Sequence, residues 1–264
     1  MMEIIDFWNG NKSESRQGYE LELLEACLCA SEVNGSYELR IDNTDYPLAE
    51  DEGNIFRNGA DILVTVAGNV KFRNREKIVI SRPLAKGLLG YRLLIVRSED
   101  ADRFKGIKEM RELQELSIGI PETWADADLF RSNQFSVVEK GSFEELFHRL
   151  KGREFDYTAL GANEIESAFN EHAQPLGGLQ IEPSLMIYYS FPLVFYVHPD
   201  KRQLAERVES GLQALIDSGE FDDLFAKYHG DIVERLNLKN RRTFTLQNPV
   251  LPEEMMDFRS ALLD

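Results

Sequence analysis

Two long strand-like runs, Tyr91-Arg92-Leu93-Leu94-Ile95-Val96 and Phe191-Pro192-Leu193-Val194-Phe195-Tyr196-Val197, bracket about a hundred residues that carry a complete strand and helix alternation of their own. A chain of 264 residues is long enough for two modest cores. The bracketing runs therefore predict two lobes, residues 1–95 plus 195–264 and an inserted 96–194, joined by two crossover strands that form a hinge. A single continuous α/β domain would show the same rhythm and stays open as an alternative.

Strand and helix alternate along the rest of the chain. Ile4 to Trp8 reads as an opening strand and Asn9 to Gln17 as a polar loop. Tyr19, Leu23, Leu24, Cys27 and Leu28 then recur at helical spacing. Tyr37 to Ile41 alternates as a strand, and Asp61 to Val66, apolar on both faces, as a buried central one. Inside the insert, Ser117 to Ile120 is a strand, Thr123 to Arg131 a helix, and Ser136 to Val138 a strand. Ser142 and Glu145 spell a capping box before the Phe143, Leu146, Phe147, Leu150 face, and Phe155 to Leu160 returns as a strand. After Val197 the pattern is mostly helical, with one face on Leu204, Val208, Leu212 and Leu215 and another on Phe221, Leu224, Phe225 and Tyr228. Such an alternation predicts mixed α/β sheets flanked by helices.

Charge and motif content exclude several classes. The formal charge of −16 and a pI near 4.8 oppose binding to nucleic acid or to anionic membrane surfaces. No apolar run approaches a membrane span, so direct membrane insertion is not expected. Cys27 and Cys29, two apart on a helix, diverge and do not predict a disulfide. The four histidines show no metal-ligand spacing, so neither a metal nor a cofactor is expected. The opening Met1-Met2-Glu3-Ile4-Ile5-Asp6 has neither the basic start nor the apolar run of a signal peptide.

Five short motifs, in order, resemble the family 3 extracellular solute-binding proteins of the type II periplasmic-binding fold, in a divergent transporter substrate-binding branch. They are Gln17-Gly18-Tyr19-Glu20-Leu21, Asn58-Gly59-Ala60-Asp61-Ile62, Ile80-Ser81-Arg82-Pro83-Leu84, Leu150-Lys151-Gly152-Arg153-Glu154-Phe155-Asp156 and Ser218-Gly219-Glu220-Phe221. The resemblance implies a monomeric, periplasmic binding protein that captures a small ligand in an interlobe cleft, with a membrane permease or a sensor as partner. It also implies three ligand anchors, and each departs here. The carboxylate-clamping arginine falls on Asn74, the ammonium partner on Gly161, and the helix start that holds the ligand carboxylate on Glu122-Thr123-Trp124-Ala125, capped by Thr123.

Residues just past strand ends are the candidate ligand contacts: Trp8, Thr65, Asn69, Arg75, Arg82, Trp124 and Tyr157. The two tryptophans and Tyr157 offer rings, Thr65 and Asn69 polar orientation, and the arginines a place for an anionic group. Ordinary packing or solvation accounts for each equally well. Tyr188 and Tyr189 belong to the expected hinge. No nucleophile elbow, paired metal-binding histidines or phosphate loop occurs, so catalysis is not expected. A lyase or dehydratase on this scaffold would need Glu122 or Glu164 as its acid.

Overall fold

The computed structural model describes residues 2–31 and 35–264 and divides the chain into two compact units. The first comprises Met1–Ala85 and Leu193–Asp231, the second Lys86–Pro192 and Ile232–Asp264.

The first unit is built on β1 (Glu3–Trp8), which pairs in parallel with β2 (Tyr37–Asp42) on one side and β3 (Ile62–Val66) on the other. All five residues of β3 are buried, as its two-sided apolar pattern demands. Helix α1 (Glu14–Ala30) connects β1 to β2 and buries Tyr19, Leu23, Leu24, Cys27 and Leu28. It begins inside the stretch expected to be loop, with Ser13 at its N-cap. Polar residues there hid the first turn from an apolar period, yet Arg16 and Glu20 make an i, i+4 ion pair of the kind that supports a helix. Short α2 (Ala49–Gly53) precedes β3, and β4 (Ile78–Ile80) forms the far edge of the sheet.

The second unit centres on β5 (Tyr91–Arg97), buried at all seven positions. Helices α3 (Ala101–Gly106) and α4 (Met110–Gln114) lead to β6 (Ser117–Ile120), α5 (Asp126–Ser132), β7 (Ser136–Glu139), α6 (Phe143–Lys151) and β8 (Tyr157–Gly161). Strand β8 pairs antiparallel with β5 and parallel with β6, which pairs parallel with β7. The capping box of α6 forms in both directions: the Glu145 backbone N–H donates to the Ser142 hydroxyl at 3.3 Å, and the Ser142 N–H to the Glu145 carboxylate at 3.0 Å. Helix α5 starts later than expected. Thr123 has φ of 70°, a left-handed conformation in place of the extended one usual at an N-cap, and its N–H donates to Glu139 at 3.1 Å. Thr123 is therefore not a cap; Ala125 holds that position, without a side-chain bond. After α7 (Ile165–Ala168), β9 (Leu179–Ile181) and β10 (Leu185–Tyr188) both pair with β5.

The chain then returns to the first unit as β11 (Leu193–Val197), inserted antiparallel between β3 and β4. Helices α8 (Arg202–Ser218) and α9 (Glu220–His229) follow, and α8 packs closely on α1. Both expected crossover runs are thus sheet strands, β5 in the second unit and β11 in the first, and the chain passes between units just ahead of each. The tail departs from expectation. Helix α10 (Ile232–Arg235) and β12 (Arg242–Thr245) belong to the second unit, where β12 pairs in parallel with β10. Its Arg-Thr-Phe-Thr run carries one buried apolar residue, Phe244, too little for a strand signal. Among the described residues no helix is long and apolar enough to cross a membrane.

Candidate functional site

In an open α/β sheet, ligands bind outside the carboxyl ends of the parallel strands where the connections diverge. Each unit has one such point. In the first it lies at β1, whose neighbours are β2 on one side and β3 on the other; in the second it lies between β6 and β8. Each holds a cluster of buried charges.

In the first unit Lys12, just past β1, donates from Nζ to Glu20 Oε2 at 2.6 Å and to the Val64 carbonyl at 3.2 Å. Arg16 grips the other Glu20 oxygen at 2.8 Å. Glu52 accepts from Lys71 Nζ and from Asn11 Nδ2, both at 2.7 Å. Burial pushes the Lys12 ammonium down from its ordinary range, and Glu20 opposes that shift. Three cations face two carboxylates, a formal surplus of one positive charge. The side chains of Arg16 and Lys71 are 13% and 10% exposed, the least buried of the three cations.

Of the sequence-predicted contacts, Thr65 and Asn69 fall together in this cluster. The Asn69 amide donates to the Thr65 hydroxyl at 2.8 Å and approaches Glu52 at 3.4 Å, while its oxygen accepts from the Lys71 backbone at 3.1 Å. Trp8 is 2% exposed, donates from Nε1 to the Thr44 carbonyl at 2.9 Å and lies 6.0 Å from the Tyr46 ring. Arg75 is half-buried beyond the turn after Asn69, and Arg82 is exposed beyond β4. Sequence reasoning missed Lys12, Arg16, Glu20, Glu52 and Lys71. The spacing of Lys12, Arg16 and Glu20, four apart, was the available signal.

In the second unit the start of β5 lies beside the end of β8, and Arg92 stands there. Its Nε donates to the Tyr189 hydroxyl at 2.6 Å, Nη2 to Asp126, and Nη1 to Glu164 at 3.3 Å. The guanidinium also lies 5.5 Å from the Tyr189 ring centre and 5.4 Å from that of Phe191. Burial works against the Arg92 cation, but Asp126, Tyr189 and Glu164 outweigh it and hold the charge more firmly than in water. Burial raises the Tyr189 hydroxyl well above its ordinary range. Two carboxylates face one cation, a surplus of one negative charge.

Glu164 also accepts the Gly161 N–H at 3.1 Å, whereas Glu122 is exposed. Trp124 is half-buried and stacks on Phe143, ring centres 5.5 Å apart and planes 18° from parallel. Tyr157 points into the core, fully buried, edge-on to Phe104 at 5.7 Å, its hydroxyl without a hydrogen-bond partner among the described residues. Arg92 was missed because it sits in a run taken for a crossover strand.

No protein-family model matches the sequence, and no curated protein does. Solved structures do match. A probable amino-acid ABC transporter extracellular-binding protein of Bacillus subtilis superposes with a TM-score of 0.63 at 14% identity, over 88% of this chain and 99% of that one. An arginine-specific periplasmic binding protein of Salmonella typhimurium gives 0.60 at 14% identity, over 85% and 98%. A histidine kinase sensor domain with similarity to periplasmic binding proteins gives 0.60 at 14% identity, over 87% and 96%. The chain has the type II periplasmic-binding fold. At the positions to which the sequence resemblance assigns ligand anchors, Asn74 and its neighbour Arg73 are exposed, and a Cβ on Gly161 would crowd the side chains of Leu89, Asn163 and Arg92.

Proposed function

We propose that the chain is a solute-binding protein that captures a small polar or anionic ligand, and that it serves ABC-type uptake. One observation carries the reading: in a fold whose solved relatives include binding proteins, the carboxyl end of the first sheet bears a buried cluster with a surplus positive charge. Lys71 and Arg16 are its least buried cations, and Asn69 with Thr65 supplies neutral donors and acceptors beside them. A charge-assisted hydrogen bond from such a group to a ligand anion is about twice as strong as a neutral one. In the second unit Glu164 and Trp124 offer a carboxylate and a ring face of the kind that suits a cationic or planar ligand group. Arg75, Arg82, Trp8 and Tyr157 stay candidate contacts of second rank, the last two because packing already occupies them.

A second reading is ligand sensing for a signalling partner, favoured by the likeness to a kinase sensor domain. Capture of the ligand is common to both. The test is a thermal-shift screen with amino acids, dicarboxylates, small peptides and aromatic acids, followed by titration calorimetry of any hit. A true ligand at a hundred times its dissociation constant adds about 2.7 kcal/mol, a shift of several degrees. Lys71→Met is expected to weaken a hit at least tenfold. A hit recovered with a changed mass would replace binding by catalysis.

A further inference from the structure

Strand β2 lies at the edge of the first sheet, and no described strand pairs with its outer side. Its backbone parity is fixed by the bonds it makes to β1. The Glu3 N–H donates to the Ser36 carbonyl and the Asn9 N–H to the Asp42 carbonyl, so the even-numbered residues of β2 point their backbone groups at β1. The odd-numbered residues Tyr37, Leu39 and Ile41 therefore turn their N–H and C=O groups outward, a free edge that can pair with another strand. Arg40, Ile41 and Asp42 are exposed, and Ile41 is 46% exposed. Strand β2 itself carries no proline, and its register against β1 runs without a bulge.

We propose that this edge pairs with β2 of a second copy of the chain, antiparallel and centred on Leu39, to form a two-fold dimer. That register is self-complementary over the whole strand, whereas centring on Ile41, which also sets Arg40 against Asp42, leaves Tyr37 and Glu38 outside the pairing. Centring on Leu39 opposes Leu39 to Leu39 and Tyr37 to Ile41, joined through the outward backbone groups, which gives six inter-strand hydrogen bonds. In the closer, non-bonded pairs between them, Glu38 meets Arg40 of the partner twice. Within one chain these two already pair at 2.8 Å with side chains 42% and 54% exposed, so both charges stand on the solvent side of the strand and can exchange partners. Centring one residue earlier opposes Glu38 to Glu38. Centring one later opposes Arg40 to Arg40 and Glu38 to Asp42. Both neighbouring registers set like charges against each other and lose backbone bonds, so the charges select the register. The net charge of −16 on each copy works against association, which makes the dimer weak and dependent on moderate salt.

Sedimentation velocity on the full chain, from about 10 µM to about 1 mM as suits a small interface, tests the idea in about 0.15 M salt. The expected result is a monomer–dimer equilibrium with a dimer fraction that rises with concentration. Glu38→Arg and Arg40→Glu, both at exposed positions, are each expected to weaken self-association at least tenfold. Mixing the two variants in equal amounts should restore dimers, because each then presents two charges opposite to those of the other. In a Cys29→Ser background, Leu39→Cys should give a reducible cross-linked dimer on mild oxidation, because the paired Cα atoms stand about 5.5 Å apart, within disulfide reach. A wild-type chain that stays monomeric throughout, single variants that dimerise as well as wild type, or a mixture that fails to recover would overturn the proposal. None of these outcomes depends on the solute.

Discussion

Gly161 at the end of β8 is paired in register with Arg92 at the start of β5, and a Cβ built on Gly161 would stand 3.2 Å from Nη1 of Arg92. It would also stand 2.6 Å from Leu89 Cδ1 and 2.8 Å from Asn163 Oδ1. A side chain there would press on the Arg92 guanidinium beside its contact with Glu164. Gly161→Ala is therefore expected to lower the stability of the second unit by about 1–3 kcal/mol through overpacking. Gly161→Asp, which would place an acid where the sequence resemblance implies an ammonium partner, should cost more and confer no amino-acid binding. Urea denaturation and calorimetry with an amino-acid panel check both; an aspartate variant that gains amino-acid affinity would refute this account.

Arg92 is the only cation among the described partners of Asp126 and Glu164 in this cluster. Removing one member of a buried ion pair strands the other, at a cost of about 3–5 kcal/mol. Arg92→Met should therefore unfold the second unit at much lower urea than wild type. The triple variant Arg92→Met, Asp126→Asn, Glu164→Gln should regain most of that loss, because no charge is then left buried and unpaired. Equal instability of the single and triple variants would show that Arg92 acts through its packing on Tyr189 and Phe191 and not through charge.

The fold was largely legible in the sequence, the site much less so. β3 declared itself by four apolar residues in five, Ile62, Leu63, Val64 and Val66, and α6 by a capping box that needs no tertiary context. The start of α1 was not legible because its first turn is polar, and β12 was not because an edge strand with one buried residue has no period to read. Thr65 and Asn69 could be found from their place after a central strand. Glu164 was named only as a possible acid and Arg92 not at all, since their meeting depends on the register of β5 against β8, which no local pattern encodes. The aromatic candidates Trp8 and Tyr157 stand at strand positions whose burial is decided by the layer above them.

A second close approach lies between α1 and α8. A Cβ on Gly211 would stand 1.8 Å from the Cys27 carbonyl oxygen, so the helices touch backbone to backbone at that point. Helix propensity alone would make Gly211→Ala stabilising by about 1 kcal/mol. The clash is with main chain that cannot swing away, and sliding two 17-residue helices apart loosens the packing between them. Sterics should win: a net loss of about 1–3 kcal/mol in urea unfolding is expected. A gain in stability would mean that the helices part without cost.

The two cysteines sit in contrasting environments. Cys27 is fully buried, and burial pushes its thiol up from 9.0 to about 12; Cys29 is exposed, its sulfur 3.4 Å from the Tyr37 hydroxyl. A thiol reagent should therefore modify one cysteine per native chain quickly and two in denaturant. The same burial sets a pH dependence. Between pH 9 and about 12 the unfolded chain loses the Cys27 proton while the native chain keeps it, so the unfolded state binds fewer protons and stability falls as pH rises. Three pKa units bound the effect at about 4 kcal/mol across the whole window. Buried tyrosines such as Tyr19, whose hydroxyl is also raised, add to the alkaline loss above pH 10, so the informative quantity is a difference. Unfolding free energies of wild type and Cys27→Ala, measured from pH 8 to pH 10.5, should converge as pH rises, the variant losing stability less steeply. Parallel curves would mean that Cys27 reaches solvent in the native state.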